Sequence, residues 1–272
     1  MAIIIEDLSY SYFEVPVLRD VSITLEEGRI HIMLGSTGSG KTTLALIMAG
    51  LLKPQQGAVL VDGVDPSSKS FERSSVQLAF QFPEAQIFET TVEKELTYGL
   101  RNFGHSPDRA KRMSVWALDR VGLGEEMLQR DPASLSFGEQ RKVALASVIA
   151  IKPRYLILDE PFAGLDWYGR QSLVDTVRGL EREGLTTVIG THETEIVADL
   201  GDTVTVVGAG TTSKPCSVSD FLYDGPGEDQ GLIPDFARTL HRLKAAGYRV
   251  PGKPRSVAGV ADAISGLFAG HR

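Results

Sequence analysis

The 272-residue chain carries 28 Lys and Arg against 35 Asp and Glu, a formal charge of −7, which excludes the basic stripe that a sequence-independent nucleic-acid binder needs. One cysteine, Cys216, excludes an intramolecular disulfide framework and a Cys-rich zinc site, fits a reducing cytoplasm, and reads as an incidental small residue in a loop. A hydrophobic content of 42 % supplies a core for one large domain with at most a small appendage. No uncharged apolar stretch approaches the ~18 to 20 residues that span a bilayer, and the start shows no basic-then-apolar signal pattern.

Residues 2–25 hold Ile3-Ile4-Ile5, Tyr10, Tyr12, Val17-Leu18 and an alternating Val21-Ser22-Ile23-Thr24-Leu25, which predicts a small antiparallel β layer. Tyr12 falls in a turn-like segment between strands, where its face is placed to stack on an adenine ring; simple packing is the alternative account. Next comes the apolar run Ile30-His31-Ile32-Met33-Leu34, then Gly35-Ser36-Thr37-Gly38-Ser39-Gly40-Lys41-Thr42-Thr43, then the helix-compatible stretch from Leu44 to Leu52. That order reads as strand, phosphate loop, helix. The glycines let backbone N–H groups turn inward around a polyphosphate, Lys41 offers a point charge at the β/γ-phosphates, and the Thr42 hydroxyl is placed for Mg²⁺. The helix N-terminus adds roughly half a positive charge at the same place.

Lys53-Pro54-Gln55-Gln56-Gly57 is expected to stop the helix, Ala58-Val59-Leu60-Val61 to resume strand, and Asp62-Gly63 to turn a hairpin. A further strand, Val76-Gln77-Leu78-Ala79-Phe80, ends on Gln81. From 82 to about 150 the pattern is helical: Ser106-Pro107 is an N-cap and first-turn pair, Asp131-Pro132 marks a loop, and Arg141 to Ala150 follows Leu135-Ser136-Phe137-Gly138-Glu139-Gln140 as a helix. Tyr155-Leu156-Ile157-Leu158 is an apolar run capped by Asp159-Glu160, as expected of a central parallel strand. Phe162-Ala163-Gly164-Leu165-Asp166 reads as a loop, 169–183 as a helix, and 186–191 as another buried strand with His192 at its C-terminal end. The fold class implied is α/β, a P-loop NTPase core with a parallel sheet, an N-terminal antiparallel β layer, a helical insert, and a small C-terminal α-helical extension.

Hydrolysis of ATP needs a cradled terminal phosphate, a metal to neutralise its oxygens, a positioned water and donors for developing charge. Asp159 at its strand end is placed to hold Mg²⁺ opposite Thr42, and Glu160 to orient and polarise the water. Gln81 is placed to touch the metal or the water, and His192 to bond the γ-phosphate. Ser136 and the N–H groups around Gly138 form a second anion site at a helix start. Two anion sites for one triphosphate imply two chains sandwiching the nucleotide, each phosphate loop facing the other chain's Ser136.

These residues carry a resemblance to the ATP-binding-cassette ATPases over nearly the whole chain. In that family the second anion site is the signature sequence, usually Leu-Ser-Gly-Gly-Gln, standing here as Leu135-Ser136-Phe137-Gly138-Glu139 with Phe137 and Glu139 as departures. The phosphate loop, Gln81, Asp159-Glu160, the loop ending in Asp166, and His192 match the family's other nucleotide-site motifs in order, and Tyr12 its adenine-stacking aromatic. A narrower resemblance lies in Phe80-Gln81-Phe82-Pro83-Glu84-Ala85-Gln86-Ile87-Phe88, with Thr91-Val92 and Tyr98 to Gly104, which is similar to the ATPases of energy-coupling factor importers of vitamins and cobalt or nickel ions. In that group the segment from Gln81 to Phe88 lines a groove for the transmembrane scaffold subunit, and a separate membrane subunit binds substrate. The resemblance implies a peripheral protein on the cytoplasmic face of the membrane, working with a second ATPase subunit, identical or a paralogue.

On this reading residues 1–208 form the cassette domain, with a helical subdomain at about 82–150, and 209–272 a C-terminal dimerisation extension. In the extension, Ile233, Phe236, Leu240 and Leu243 share one helical face, as do Val257, Val260, Ile264 and Leu267, around Leu240-His241-Arg242-Leu243, Gly247 and Pro251. Packing of both helices on their own domain is the alternative there. For the chain as a whole the rivals are the ATPase of a conventional transporter and a soluble, non-transport cassette ATPase. The absence of an internal repeat and of a sustained heptad pattern weighs against the second.

Overall fold

A computed structural model describes residues 1–224, 232–248 and 252–269, the side chains of 266–269 excepted. Two sheets share the work. Strands β1 (Ala2–Tyr12) and β2 (Val15–Glu26) pair antiparallel, and β4 (Gln56–Val61) joins β1 on its other edge, giving the expected N-terminal layer. The larger sheet has a parallel centre in the order β8 (Thr203–Gly208), β3 (Ile30–Leu34), β7 (Thr186–Thr191), β6 (Tyr155–Asp159), β5 (Val76–Ala79). Every residue of β3, β6 and β7 is buried, which is why these strands read as unbroken apolar runs.

The period of two sorts each strand between two cores. Ile30, Ile32 and Leu34 of β3, with Leu156 and Leu158 of β6, face the helical side. Met33, Tyr155 and Ile157 face the antiparallel layer and α1 (Lys41–Met48). The helical insert comprises α2 (Val92–Asn102), α3 (Pro107–Arg120) and α4 (Phe137–Ile149). Helix α5 (Trp167–Arg182) starts where Asp166 caps it, and α6 (Thr194–Leu200) follows β7.

Several local expectations are corrected. Helix α1 stops at Met48, well before Pro54, because Gly50 takes φ +69 in a place where any Cβ would meet the Pro66 carbonyl oxygen at 2.2 Å. Strand β5 stops at Ala79, so Gln81 lies in the exposed turn that follows. Tyr12 ends β1 itself, paired with Val15. Ser106 precedes α3 with extended backbone, but its side chain makes no capping hydrogen bond. Cys216 opens β10 (Cys216–Ser217), and with β9 (Thr211–Thr212) this strand extends the pairing of β8 beyond residue 208.

Helices α7 (Val218–Tyr223), α8 (Asp235–Ala245) and α9 (Val257–Ala269) follow among the described residues. Ile233, Leu240 and Val260 are buried in the chain's own core, Phe236, Leu243 and Ile264 pack against it, and Val257 is exposed. Much of the apolar face expected to meet a second protomer is thus used internally. Pro251 and the Leu267 side chain lie outside the described residues.

Within β3, buried His31 lies between the Thr203 hydroxyl (2.6 Å) and the Glu26 carbonyl (2.7 Å). Burial holds its pKa below the ordinary imidazole value, outweighing the Glu26 carbonyl contact that favours the cation. The unfolded chain therefore binds the proton more readily, so this contribution to stability is present above the unfolded pKa and declines as pH falls below it. Chemical denaturation of wild type and His31→Gln across pH 7.5 to 5.5 is expected to show the steeper loss in wild type, and parallel curves would overturn this.

Candidate functional site

The phosphate loop hangs between two parallel strands. Gly35 N–H donates to the Thr191 carbonyl at the end of β7 (3.0 Å), and a Cβ on Gly35 would sit 2.1 Å from the Val207 carbonyl oxygen of β8, so only glycine lets the loop leave β3 here. Gly40, at φ +109, is the N-cap of α1, which puts the free N–H groups of that helix at the loop's mouth.

Lys41 opens α1 and turns its side chain back over the loop. Its ammonium donates to the carbonyls of Gly35 (2.7 Å) and Ser36 (3.1 Å) and lies 3.2 Å from Glu160 Oε1, in a site where Lys41 is only 5 % exposed. The other carboxylate oxygen of Glu160 is 2.9 Å from His192 Nδ1. Glu160 is thus gripped from both sides, and its backbone takes φ +48, a left-handed conformation that costs about 1–3 kcal/mol for a non-glycine residue. The hydrogen bond from its N–H to the Gly190 carbonyl (2.8 Å) ties it to β7.

Beside this pair, the Thr42 hydroxyl donates to Asp159 Oδ2 at 2.6 Å. Burial pushes the Asp159 carboxyl above the ordinary range, the Thr42 hydrogen bond opposes this, and the neighbouring Glu160 adds to it. Asp159 Oδ1 and Ser39 Oγ are both buried without a hydrogen-bond partner. An orphaned carboxylate oxygen next to a hydroxyl makes an all-oxygen donor pair, which suits a hard cation such as Mg²⁺ bound alongside phosphates. Phosphate loop, Thr42, Asp159, Glu160 and His192 therefore form one bonded cluster, as their order in the sequence implied.

The remaining candidates stand apart from it. No hydrogen bond or ion pair among the described residues joins Tyr12, Gln81, Ser136, Gly138 or Asp166 to the phosphate loop. Tyr12 is 40 % exposed, with Tyr10 edge-on to its ring at 5.1 Å, at the end of a hairpin whose Val17 and Leu18 abut Gly40. Ser136 caps α4 in a capping box: its hydroxyl accepts from Glu139 N–H (3.3 Å) and donates to Glu139 Oε2 (2.6 Å), which also accepts from Ser136 N–H (2.8 Å). Phe137 next to it is 54 % exposed. Asp166 caps α5 by accepting from Gly169 N–H (2.8 Å).

Two features escaped the sequence reading. Arg170 of α5 forms an ion pair with Glu193, the residue after His192, so the loop holding Asp166 and the turn holding His192 are tied together. Arg141 of α4 is 7 % exposed and donates to the carbonyls of Ala163 (2.9 Å) and Pro161 (2.5 Å), just past Glu160. Burial lowers the Arg141 pKa, opposed by the charge of Glu84. Nothing in the pattern around either arginine marks its destination.

Comparison with known proteins identifies the family. The family model described as ABC transporter matches residues 18–163. The chain is 38 % identical to the energy-coupling factor transporter ATP-binding protein EcfA2 of Lactobacillus delbrueckii subsp. bulgaricus, covering 97 % of this chain and 96 % of that protein. It is also 38 % identical to the protein of the same name from Symbiobacterium thermophilum, covering 100 % and 98 %. Among solved structures, CbiO1 from Clostridium perfringens, described as part of the ABC transporter complex CbiONQ, superposes with a TM-score of 0.75 at 30 % identity, covering 90 % of this chain and 96 % of that one. With its nucleotide cluster intact and the match running nearly end to end, this chain belongs to the ABC transporter family and is an ATPase of it.

Proposed function

We propose that the chain is the ATP-hydrolysing subunit of an energy-coupling factor importer, bound at the cytoplasmic face of the membrane and active as a dimer with an identical or paralogous cassette. The observation that carries this reading is the placement of the two anion sites. Glu160 is held by Lys41 and His192 within the bonded cluster, while Ser136 stands at an exposed helix start with no hydrogen bond or ion pair to its own phosphate loop. A second protomer is the natural source of the missing half.

In this reading the phosphate loop and Lys41 bind the triphosphate, and Tyr12 stacks on the adenine. Thr42, Asp159 and Gln81 hold Mg²⁺, which when bound supplies charge neutralisation to the phosphate oxygens. Glu160 polarises the attacking water, and His192 keeps the carboxylate aimed and reaches the γ-phosphate. Ser136 and Gly138 of the opposing protomer meet that phosphate, and Asp166 lies in the loop between the two sites. The C-terminal helices hold the protomers together between cycles, presenting what α8 and α9 leave uncovered, including Val257.

Closure of the dimer is then passed to a transmembrane scaffold subunit through the groove at Gln81 to Phe88, while a separate membrane subunit selects substrate. No helix among the described residues is long and apolar enough to cross a membrane, which supports a peripheral subunit. Exposed Phe82, Phe88 and Tyr98 support the groove, with Phe88 and Tyr98 edge to face at 4.9 Å. The buried carboxylate of Glu95 holds one lip by accepting from the N–H groups of Phe88 (3.2 Å) and Glu89 (3.0 Å).

The test is turnover against protein concentration, with Ser136→Ala beside wild type and with scaffold recovered from membranes by co-purification. Wild-type specific activity is expected to rise with concentration, and Ser136→Ala to lose about 10²-fold, as for one lost donor to developing charge. Full activity at high dilution, untouched by loss of the serine hydroxyl, would sink the dimer reading.

A further inference from the structure

The helical subdomain meets the core across an apolar interface that is not filled. A cavity of about 90 Å³ lies there, lined by Val121, Leu145, Leu158, Leu165 and Leu173 among others, with Arg141 on its wall. Apolar packing beside a void has little directionality, so it does not by itself fix how α4 sits against the chain past Glu160. The Arg141 fork does. Its two terminal nitrogens take two carbonyls of that chain, Ala163 and Pro161, from a helix that Ser136 caps.

Glu84, whose charge bears on this arginine, lies in the short 3₁₀ turn Pro83–Gln86 of the groove segment. Its carboxylate bears electrostatically on Arg141 without reaching ion-pair distance, and its Oε2 is buried with no hydrogen-bond partner. A buried, unmatched carboxylate oxygen near a guanidinium is a costly arrangement that a small displacement of either group relieves. The Pro161 to Ala163 chain, by hydrogen bonds, and Glu84, by its charge, thus both bear on one guanidinium.

We propose that Arg141 is a positioning residue shared between them: it holds the Pro161 to Ala163 chain so that Glu160 is set for hydrolysis, and movement of the Gln81 to Phe88 segment draws it toward Glu84. The state of the groove is thereby read at the water-activating carboxylate. The inference rests on the proposed roles of Glu160 and of the groove. It adds a physical connection between them that involves neither nucleotide nor membrane partner directly.

The experiment measures kcat, KM and the Kd of a fluorescent ATP analogue on the intact protein for Arg141→Met, Arg141→Lys, Glu84→Gln and the double variant Glu84→Gln/Arg141→Met. Arg141→Met is expected to lose about 10²-fold in kcat, the cost of a reacting group set slightly out of place. Its Kd should stay within about two-fold, since the phosphate loop is untouched. Arg141→Lys should recover little, because one ammonium does not span two carbonyls. Glu84→Gln should raise kcat with Arg141 present and leave it unchanged in the Arg141→Met background. Equal effects of Glu84→Gln in both backgrounds, or a fall of kcat and binding together in Arg141→Met, would overturn the proposal. Should Arg141→Met fail to fold, Glu84→Gln alone and on Arg141→Lys carries the same comparison. Glu160→Gln is the control: if it retains turnover, the reading of Glu160 falls, whereas the kcat loss in Arg141→Met is read independently of it.

Discussion

Glu160→Gln is expected to retain MgATP binding and to hydrolyse it about 10²- to 10⁴-fold more slowly, the usual loss when a positioned base is removed. Glutamine keeps the length and shape of the side chain, so the strained left-handed backbone at Glu160 and its N–H bond to Gly190 need not change. What changes is charge. The carboxylate proposed to polarise water is gone, and Lys41, 3.2 Å from Glu160 Oε1, loses its counter-charge and is left with the Gly35 and Ser36 carbonyls. An ammonium released in this way is more available to phosphate, so trapping of bound nucleotide should accompany the loss of turnover. Retention of labelled ATP through gel filtration, set beside steady-state release of phosphate, separates the two effects. A variant that turns over at the wild-type rate would remove Glu160 from the role.

The cluster that makes this prediction possible was legible in the sequence because each part sits at the end of a buried strand. An unbroken apolar run marks the strand, and the polar residue that ends it has to lie at the carboxyl edge of the sheet, where β3, β6 and β7 bring the phosphate loop, Asp159-Glu160 and His192 together. The capping box at Ser136 and Glu139 was not read, although its signal is local, a serine three residues ahead of a glutamate. Contacts set by distant chain were not legible. Helix α1 stops at Met48, ahead of a Gly50 that has to be glycine because the Pro66 carbonyl approaches it, and no local signal reports that approach. Strand β10 covers only Cys216–Ser217, too little for a period to appear, so a paired strand read as a loop. Arg141 is the clearest case. In α4 it looks like one more polar interruption of an apolar helix, and its purpose is supplied by carbonyls at 161 and 163, on a loop across the subdomain boundary.

Lys41→Met should abolish detectable ATP binding while leaving the fold intact. The ammonium is the cation at the mouth of the loop, and a hydrogen bond to a charged group contributes about 1.5–3 kcal/mol, so two such bonds to phosphate oxygens lost together move Kd by several orders of magnitude. Methionine is unbranched and close to lysine in size, so it fills the buried position without opening a cavity. The substitution leaves the Gly35 and Ser36 carbonyls without their donor and Glu160 with His192 as its remaining partner. A modest fall in the melting temperature of the nucleotide-free protein follows from those losses. Wild type should gain thermal stability from saturating MgATP according to RT ln(1 + [L]/Kd), and the variant should gain none at the same concentration. Melting curves with and without nucleotide check this on one sample. A shift in Lys41→Met equal to that of wild type would mean that the loop backbone and the N-terminus of α1 hold the triphosphate unaided, with Lys41 serving only to neutralise Glu160.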